Sequence, residues 1–384
     1  MIKKRKSKII VLGSGMVGGT IAGELGKKHN VSCADINKNA LGLLISKTRE
    51  FANIETIIAD LSNPEIIKKI IAPFDLVIGA VPGFLGFKMM KAVLEAKKNI
   101  VDISFFPEDP FLLDRLAKKN KVIAATDCGV APGMSNMIAG YHNSAMKINS
   151  FLCLVGGLPV VRHFPYEYKA PFSPIDVLEE YTRPARYIEN GKTVIREALS
   201  DSEFIEFEEV GTLEAFNTDG LRTLVKTMPH IPDMKEKTMR YPKHIEYMKV
   251  LRETGFFSKD PIKINGSEIR PIDFTSKLLF PNWKLKEKEE EFTAMKVIVE
   301  GTENKKSIKY TYSLFDRFDK KTNVTSMART TGYTACAIAE LVLSGMYKKT
   351  GINPPEFIGK EKKCFEFIMN YLKEKNVIYK LTVE

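Results

Sequence analysis

Cysteine is scarce and poorly spaced for crosslinking. The chain has five, at positions 33, 128, 153, 336 and 364. They are odd in number and include no C-x-x-C pair, which argues for reduced thiols and gives zinc ligation no support. No run of about 18 apolar residues exists, so no membrane-spanning helix is expected. The sequence also lacks an internal repeat, a low-complexity linker, a P-loop, a Ser-His-Asp arrangement and any metal-ligand spacing. Acidic residues are outnumbered, 47 to 58 basic ones, giving a formal charge of +11. The lysines are nevertheless dispersed, often beside glutamate as in KLKEKEEEF at 284–292, and only the first eight residues form a concentrated basic cluster. With no interleaving of aromatic and basic residues, this pattern describes a solvated surface, and no nucleic-acid partner is expected. The opening MIKKRKSKII has the charge of an export signal, but its short apolar stretch runs straight into a glycine loop and reads as a strand. A cytoplasmic protein with no membrane partner is the expectation.

What is present is 44% apolar residues in 384, enough for two well-packed cores. The most informative stretch is Lys8 to Asp35. Ile9–Leu12 forms a continuous apolar run, as in a parallel strand buried on both faces. Gly13, Gly15 and Gly18 follow in G-x-G-x-x-G spacing, suiting a tight turn, close approach of a pyrophosphate and close helix–strand packing. Val17, Ile21 and Leu25 give the following helix one apolar face, and its amino end would offer N–H groups to phosphates. A second strand, Val31–Ala34, ends in Asp35, whose carboxylate can accept from both hydroxyls of an adenosine ribose. A 2′-phosphate there would meet a like charge, so NAD is the expected cofactor. The candidate cofactor residues are Gly13, Ser14, Gly15, Met16, Val17, Gly18 and Asp35.

Strand and helix continue to alternate up to about residue 125. Ile54–Ala59 reads as a third strand ending at Asp60, which could reach the adenine edge or simply shape a turn. Ser62 or Asn63 then caps a helix with Pro64 at its first position. Asp75–Gly79 runs into Ala80, Val81 and Pro82, a small-residue turn against which a nicotinamide could lie. Ile100–Ile103 and Val122–Ala124 extend the sheet, with a helix at Leu112–Lys119 between them. From 150 to 325 the pattern changes to strand-like runs at Phe151–Val155, Phe204–Glu208, Ala294–Val299 and Ile308–Phe315, with helices between. The expected fold class is α/β: a Rossmann doubly wound parallel sheet plus a second α+β domain with a mixed sheet. The expected division is 1–128 with 327–384, whose small-residue helices return to the first domain, against 129–326.

Four stretches qualify for the reacting centre: VDISFF (101–106), DCGVAPG (127–133), VGGLP (155–159) and the run from Asn217 to His244. They supply Ser104, Gly156 and Gly157 as candidate substrate-site residues. Asp219 and Arg222, three apart on one expected helix face, offer a carboxylate for an ammonium and a guanidinium for a carboxylate; an intrahelical ion pair is the plain alternative. In a helix starting at Pro242, His244 shares a stripe with Tyr247, Met248 and Leu251. It could remove a proton from an amine, or be an ordinary core histidine. His163 is a second histidine candidate. Asp127 could hold an ammonium, act as base or cap a helix.

The order GSGMVGG, GAVPGFLGFKMMKAVLEAKKNIVDISF, GVAPGMSN, VGGLP, PFSPIDVLEEYTRPARYIENG and RYPKHIEYMKVLRETGFF resembles the saccharopine dehydrogenase family, and within it the lysine 6-dehydrogenases. The resemblance runs from about residue 8 to 380. It implies a Rossmann domain, a mixed-sheet domain, a homodimer and NAD-dependent oxidation of an amino acid. The saccharopine reductases of this family carry a tyrosine where this chain has Phe105, an aspartate in place of Ala131 and a cysteine in place of Val155. Those three positions belong to that enzyme's substrate site, so their apolar character here points to a smaller, diamine-like substrate such as L-lysine. The expected reaction is oxidative deamination at the ε-carbon, with His244 or Asp127 as base and Arg222 or Arg240 on the far carboxylate. The alternatives are a reductive condensation enzyme of the saccharopine or carboxynorspermidine dehydrogenase kind, and an NAD-binding protein without catalysis.

Overall fold

Ile9, Ile10, Val11 and Leu12 are wholly enclosed, as a central parallel strand covered on both faces requires. In the computed structural model, which describes residues 6–286 and 288–384, this strand (Lys8–Leu12) lies in the middle of a seven-stranded sheet. From one edge the order is Ile54–Ile58, Asn30–Asp35, Lys8–Leu12, Leu76–Gly79, Asn99–Asp102, Ile123–Ala125 and Gly351–Asn353. Every pairing is parallel. The chain order reverses between Lys8–Leu12 and Leu76–Gly79, and open α/β sheets take ligands at the carboxyl ends of strands flanking such a switch. The core on one side of this sheet includes Ile10, Leu12, Ile67, Val77, Met89 and Phe106.

This sheet belongs to a unit made of the residues through Ala145 together with Met327–Ile378. The helix Met134–His142 is therefore part of it. So is most of the helix Ser326–Ser344, whose Gly332 would bring a Cβ within 3.3 Å of Ile21 and 3.7 Å of Val17. That close docking onto the helix Met16–Gly26 is what the run of small residues allows. Gly351–Asn353 then adds a strand beside Ile123–Ala125, too short for hydrophobic periodicity to announce.

The second unit spans Met146–Ser326 and Tyr379–Glu384. Its main sheet runs Glu203–Phe207, Gly211–Asn217, Asp233–Arg240, Lys147–Pro159, Glu291–Glu303, Lys306–Arg317 and Tyr379–Val383, and the hairpin Ala185–Glu189/Lys192–Arg196 joins at Asp233–Arg240. Asp233–Arg240 is parallel to Lys147–Pro159 and the other neighbours are antiparallel, so the sheet is mixed. One face is packed by Trp283, Tyr181, Phe216, Met248 and Leu279.

Gly156 and Gly157 lie inside the strand Lys147–Pro159, which extends beyond the run expected at Phe151–Val155. Gly156 is required there because a Cβ would sit 2.7 Å from the Met239 carbonyl oxygen of the parallel neighbour. Residues 218–223 form no helix, which begins only at Leu224 and lasts four residues. The helix expected from Pro242 starts at His244, after Lys243 in a left-handed conformation (φ 78°). Among the described residues, no helix is long and apolar enough to cross a membrane. Residues 1–5, which hold most of the basic cluster, lie outside the described residues.

Candidate functional site

The glycine loop closes directly against the neighbouring strand's exit. Gly13 donates its N–H to Ala34 O (2.8 Å), and Ala80 N–H reaches Leu12 O (2.9 Å). A Cβ on Gly13, whose φ is +111°, would stand 2.3 Å from the Ala80 carbonyl oxygen, and one on Gly18 would stand 2.2 Å from the Gly13 oxygen. Only glycine fits at either position. Gly15, by contrast, has nothing within 4 Å of its would-be Cβ, which leaves open space over the backbone at the start of the helix Met16–Gly26. Ser14 is buried, while Met16 is exposed and Val17 partly so. Ala80, Val81 and Pro82 follow the adjacent strand, and Pro82 precedes the helix Gly83–Glu95.

Asp35 sits at the mouth of this loop. Its Oδ2 accepts from Ser14 N–H (2.7 Å) and Ser14 Oγ (2.9 Å), and its Oδ1 from Asn37 N–H (2.8 Å). Backbone donors therefore hold the carboxylate in one orientation. Burial, then the charge of Asp35, push the neighbouring Cys33 thiol up to about 12, so Cys33 stays protonated. A tight glycine turn, an open space at a helix start and an anchored acid after the second strand together fit an adenine dinucleotide. Asp60 is exposed and accepts from Ser62 N–H (2.9 Å) and Oγ (2.7 Å), bonds that hold its carboxyl below the usual range. Asn63, not Ser62, caps the next helix.

Ser104 and Asp127 are buried at strand exits of the same sheet. The Ser104 hydroxyl donates to Asp102 Oδ1 (2.9 Å) and its N–H to Oδ2 (3.2 Å). Asp102 itself is fully buried, and a Cβ on Gly79 would lie 2.1 Å from its Oδ1. Sequence reasoning passed over Asp102, although an aspartate closing an apolar strand was a usable signal. Asp127 adopts a left-handed backbone (φ 53°), which aspartate tolerates better than most residues.

The second unit separates residues that the sequence grouped. His244 is 2% exposed. Its Nδ1 lies 2.8 Å from Tyr166 O and its Nε2 3.0 Å from Tyr181 Oη. A carbonyl can only accept, so Nδ1 carries the proton and Nε2 accepts from the phenol. Tyr181 Oη receives in turn from Arg240 Nε (3.0 Å), and Arg240 also bonds Met239 O, Tyr168 Oη and Glu180. Burial, then the Arg240 charge, pull His244 down to about 3. A base that weak, with both nitrogens engaged, does not take a proton from an amine near neutrality. This corrects the reading of His244 as a catalytic base. Arg240, 2% exposed and engaged by four groups inside the core, is likewise corrected as a carboxylate clamp. His163 is exposed.

The His244 environment carries a consequence for acid stability. Its folded value, about 3, lies below the ordinary 6.5, so between these values the unfolded chain binds a proton that the folded chain refuses. The contribution is fully present above pH 6.5 and is lost as pH falls through that window, at about 1.4 kcal/mol per pH unit. Urea midpoints should drop by the equivalent of about 2 kcal/mol between pH 7 and pH 5. A His244→Gln variant should lose most of that slope; an unchanged slope would show that the histidine is not the group responsible.

Asp219 does not pair with Arg222. It accepts a two-pronged bond from Arg186, Nε to Oδ1 (2.8 Å) and Nη2 to Oδ2 (2.7 Å), with the Arg186 N–H adding 3.2 Å to Oδ1. Arg222 is buried with φ 53°. Arg183 stands close enough that burial, followed by the Arg222 charge, lowers it from its usual value. Among the described residues no cluster of His, Cys, Asp and Glu could hold a metal ion.

Comparisons with known proteins agree with this layout. The saccharopine dehydrogenase NADP-binding domain matches residues 9–131, and the saccharopine dehydrogenase C-terminal domain matches 129–378. Alpha-aminoadipic semialdehyde synthase of Mus musculus is 27% identical over 197 residues, covering 49% of this chain and 21% of that protein. The chain thus matches about a fifth of that relative's length. Saccharopine dehydrogenase [NADP(+), L-glutamate-forming] of Saccharomyces cerevisiae is 25% identical over 276 residues (68% of this chain, 61% of that one). Carboxyaminopropylagmatine dehydrogenase of Synechocystis is 21% identical over 395 residues (92% and 95%). The solved apo saccharopine dehydrogenase of Saccharomyces cerevisiae superposes with a TM-score of 0.77 at 20% identity, covering 98% of this chain and all of that one. A nicotinamide-dinucleotide loop on a doubly wound sheet, followed by a mixed-sheet domain that the second family model spans almost whole, places the chain in the saccharopine dehydrogenase family.

Proposed function

We propose that the chain is an NAD-dependent amine dehydrogenase that oxidises the ε-carbon of L-lysine. The observation that carries the reading is Asp35, a carboxylate oriented by backbone N–H groups at the end of the second strand. It suits the two hydroxyls of an unphosphorylated ribose and opposes a 2′-phosphate. For the substrate, support comes from Phe105, Ala131 and Val155, apolar at three positions where the resemblance leads one to expect polar groups in saccharopine reductases.

The balanced reaction converts lysine, water and NAD to 2-aminoadipate 6-semialdehyde, ammonium, NADH and one proton, and the aldehyde then cyclises with its own α-amino group. When bound, the dinucleotide supplies the hydride acceptor. Gly13, Ser14, Gly15, Met16, Val17 and Gly18 hold its phosphates, Asp35 its ribose, and Ala80, Val81 and Pro82 its nicotinamide end. Asp60 is assigned to the adenine edge. An ammonium must lose a proton before its carbon can release hydride, and with His244 committed to the core, Asp127 is the group assigned to take that proton on a carboxylate oxygen. Arg222 is assigned the α-carboxylate. Working as a homodimer in the cytoplasm belongs to the same proposal.

The test is NADH formation across a panel of single amines and amino acids with both nicotinamide cofactors. L-lysine with NAD should give steady turnover and saccharopine none. Full rate with saccharopine and none with lysine would reject the assignment. A second reading is favoured by the end-to-end match to carboxyaminopropylagmatine dehydrogenase: reductive joining of an amine to an aldehyde acid. It is separated by asking whether turnover requires a second carbon substrate together with the reduced cofactor.

A further inference from the structure

The main sheet of the second unit ends in the strand Tyr379–Val383, and no described strand pairs with its far side. The bonds on its near side say which backbone groups are left over. Lys309 and Glu384 exchange both N–H···O bonds, each 2.9 Å. The register continues as Thr311 with Thr382 and Ser313 with Lys380. In an antiparallel ladder such pairs alternate with pairs that exchange none. Lys380, Thr382 and Glu384 therefore turn their backbone groups toward Lys306–Arg317, while Leu381 and Val383 direct theirs away from the sheet.

Edges of this kind are ordinarily blunted by charge, proline or a covering segment. This one leaves apolar side chains uncovered. Leu381 is 49% exposed and Val383 51%, although they share a face with Tyr379, Tyr312 and Leu314, which are buried. On the opposite face Lys380, Thr382 and Glu384 are all exposed, and Glu384 pairs with Lys309 (Nζ to Oε2, 2.9 Å). Two antiparallel copies of the strand, related by a two-fold axis through Thr382, match on both faces. Leu381 meets Val383 of the second copy, and these are the residues whose N–H and C=O groups point outward. Lys380 meets Glu384 of the second copy, opposite charges directly facing. An axis through Lys380 would set that lysine against itself, and one through Leu381 would place it opposite Thr382. The Thr382 axis alone puts the charges face to face.

We infer that the free edge of Tyr379–Val383 is a self-pairing surface: a second copy of this chain adds its own Tyr379–Val383 antiparallel, with Thr382 on the two-fold axis and Lys380 facing Glu384. The contact uses the same patch on both copies, so it closes at a dimer and does not grow into a fibre. The inference deepens the homodimer part of the proposed function and rests on it, but it does not depend on the substrate.

The test is sedimentation velocity of the full chain over a concentration series, with variants along the edge. Val383→Pro removes an outward N–H and leaves the bonds to Lys306–Arg317 intact, a placement that proline tolerates on an edge strand. It should keep the wild-type far-ultraviolet circular dichroism and sediment as a monomer. Lys380→Glu should raise the dimer dissociation constant about tenfold or more, because the two-fold axis makes one substitution act twice. Adding Glu384→Lys should recover most of that loss. Thr382→Cys sets a thiol opposite its own copy at a Cα separation of about 4.5 Å, within disulfide reach, and the native cysteines are all buried. In air with copper phenanthroline it should give a covalent dimer, whereas Leu381→Cys, diagonal to its own copy, should give little. Crosslinking at Leu381 in preference to Thr382, a mass unchanged in Val383→Pro, or assembly beyond two copies would overturn the inference. A wild-type dimer indifferent to all these variants rejects this edge while the homodimer stands, and a wild-type monomer rejects both. Sedimentation needs no substrate, so a chain inert toward lysine leaves the edge to be decided by mass alone.

Discussion

Asp35→Ser should reverse the cofactor preference. The wild-type chain is expected to bind NAD about 100-fold or more tighter than NADP, because two unit charges of like sign 4 Å apart at an effective dielectric of 20 repel by about 4 kcal/mol. The Asp35 carboxylate cannot turn aside, since Ser14 N–H and Asn37 N–H hold its two oxygens from opposite sides. The Ser14 hydroxyl is the one donor free to rotate, and it can release an acceptor position to a ribose hydroxyl. Serine at 35 removes the repulsion and the charged acceptor together. NAD affinity should fall by roughly ten- to a hundredfold, in line with about 1.5–3 kcal/mol for hydrogen bonds to a charged group, while NADP affinity rises. Asp35→Asn separates the terms, since it keeps an acceptor oxygen and loses the charge; its NADP affinity should rise with less loss for NAD. Fluorescence titration of each variant with both cofactors reads this directly. A wild-type chain that binds both equally would remove the basis for assigning NAD.

The legibility of that site follows from its locality. Gly13, Gly15, Gly18 and Asp35 lie within one strand–helix–strand unit, and each is demanded by backbone geometry that any such unit shares. Parallel strands buried on both faces also announce themselves as apolar runs, so Ile9–Leu12 and Leu76–Gly79 were readable. The second unit was less so. Asp219 and Arg222 at a spacing of three suggested a helix, but the spacing carried no information about Arg186, which is 33 residues away. That the strand beginning before Phe151 continues through Gly156 was not legible, because composition cannot reveal that a parallel neighbour's Met239 carbonyl leaves no room for a side chain. His244 was correctly placed facing inward, on periodicity. What periodicity could not supply was the partner on each ring nitrogen, Tyr181 at 63 residues' separation and Tyr166 at 78. Those partners decide whether an inward histidine does chemistry or holds a core together.

Arg240→Met should be the most destabilising single change in the second unit. Arg240 bridges the strand Asp233–Arg240 to the helix Pro174–Thr182 through Glu180 and Tyr181, and its guanidinium lies 4.5 Å from the Tyr168 ring. Removing it leaves Glu180 without its cation and Tyr181 without the donor that orients its hydroxyl toward His244. Breaking one side of a buried pair costs about 3–5 kcal/mol, mostly from the charge left behind, which corresponds to a fall of roughly 10 °C in the unfolding midpoint. If the uncompensated carboxylate is the cause, Arg240→Met with Glu180→Leu should recover much of the loss, since an apolar replacement of both partners is often close to neutral. Recovery would also show that the pair is not what binds substrate, because a carboxylate clamp could not be exchanged for methionine without raising KM. The double variant should therefore regain both its melting temperature and its KM for L-lysine. A restored melting temperature with KM still raised would return Arg240 to the substrate site, against its burial and its four partners in the core.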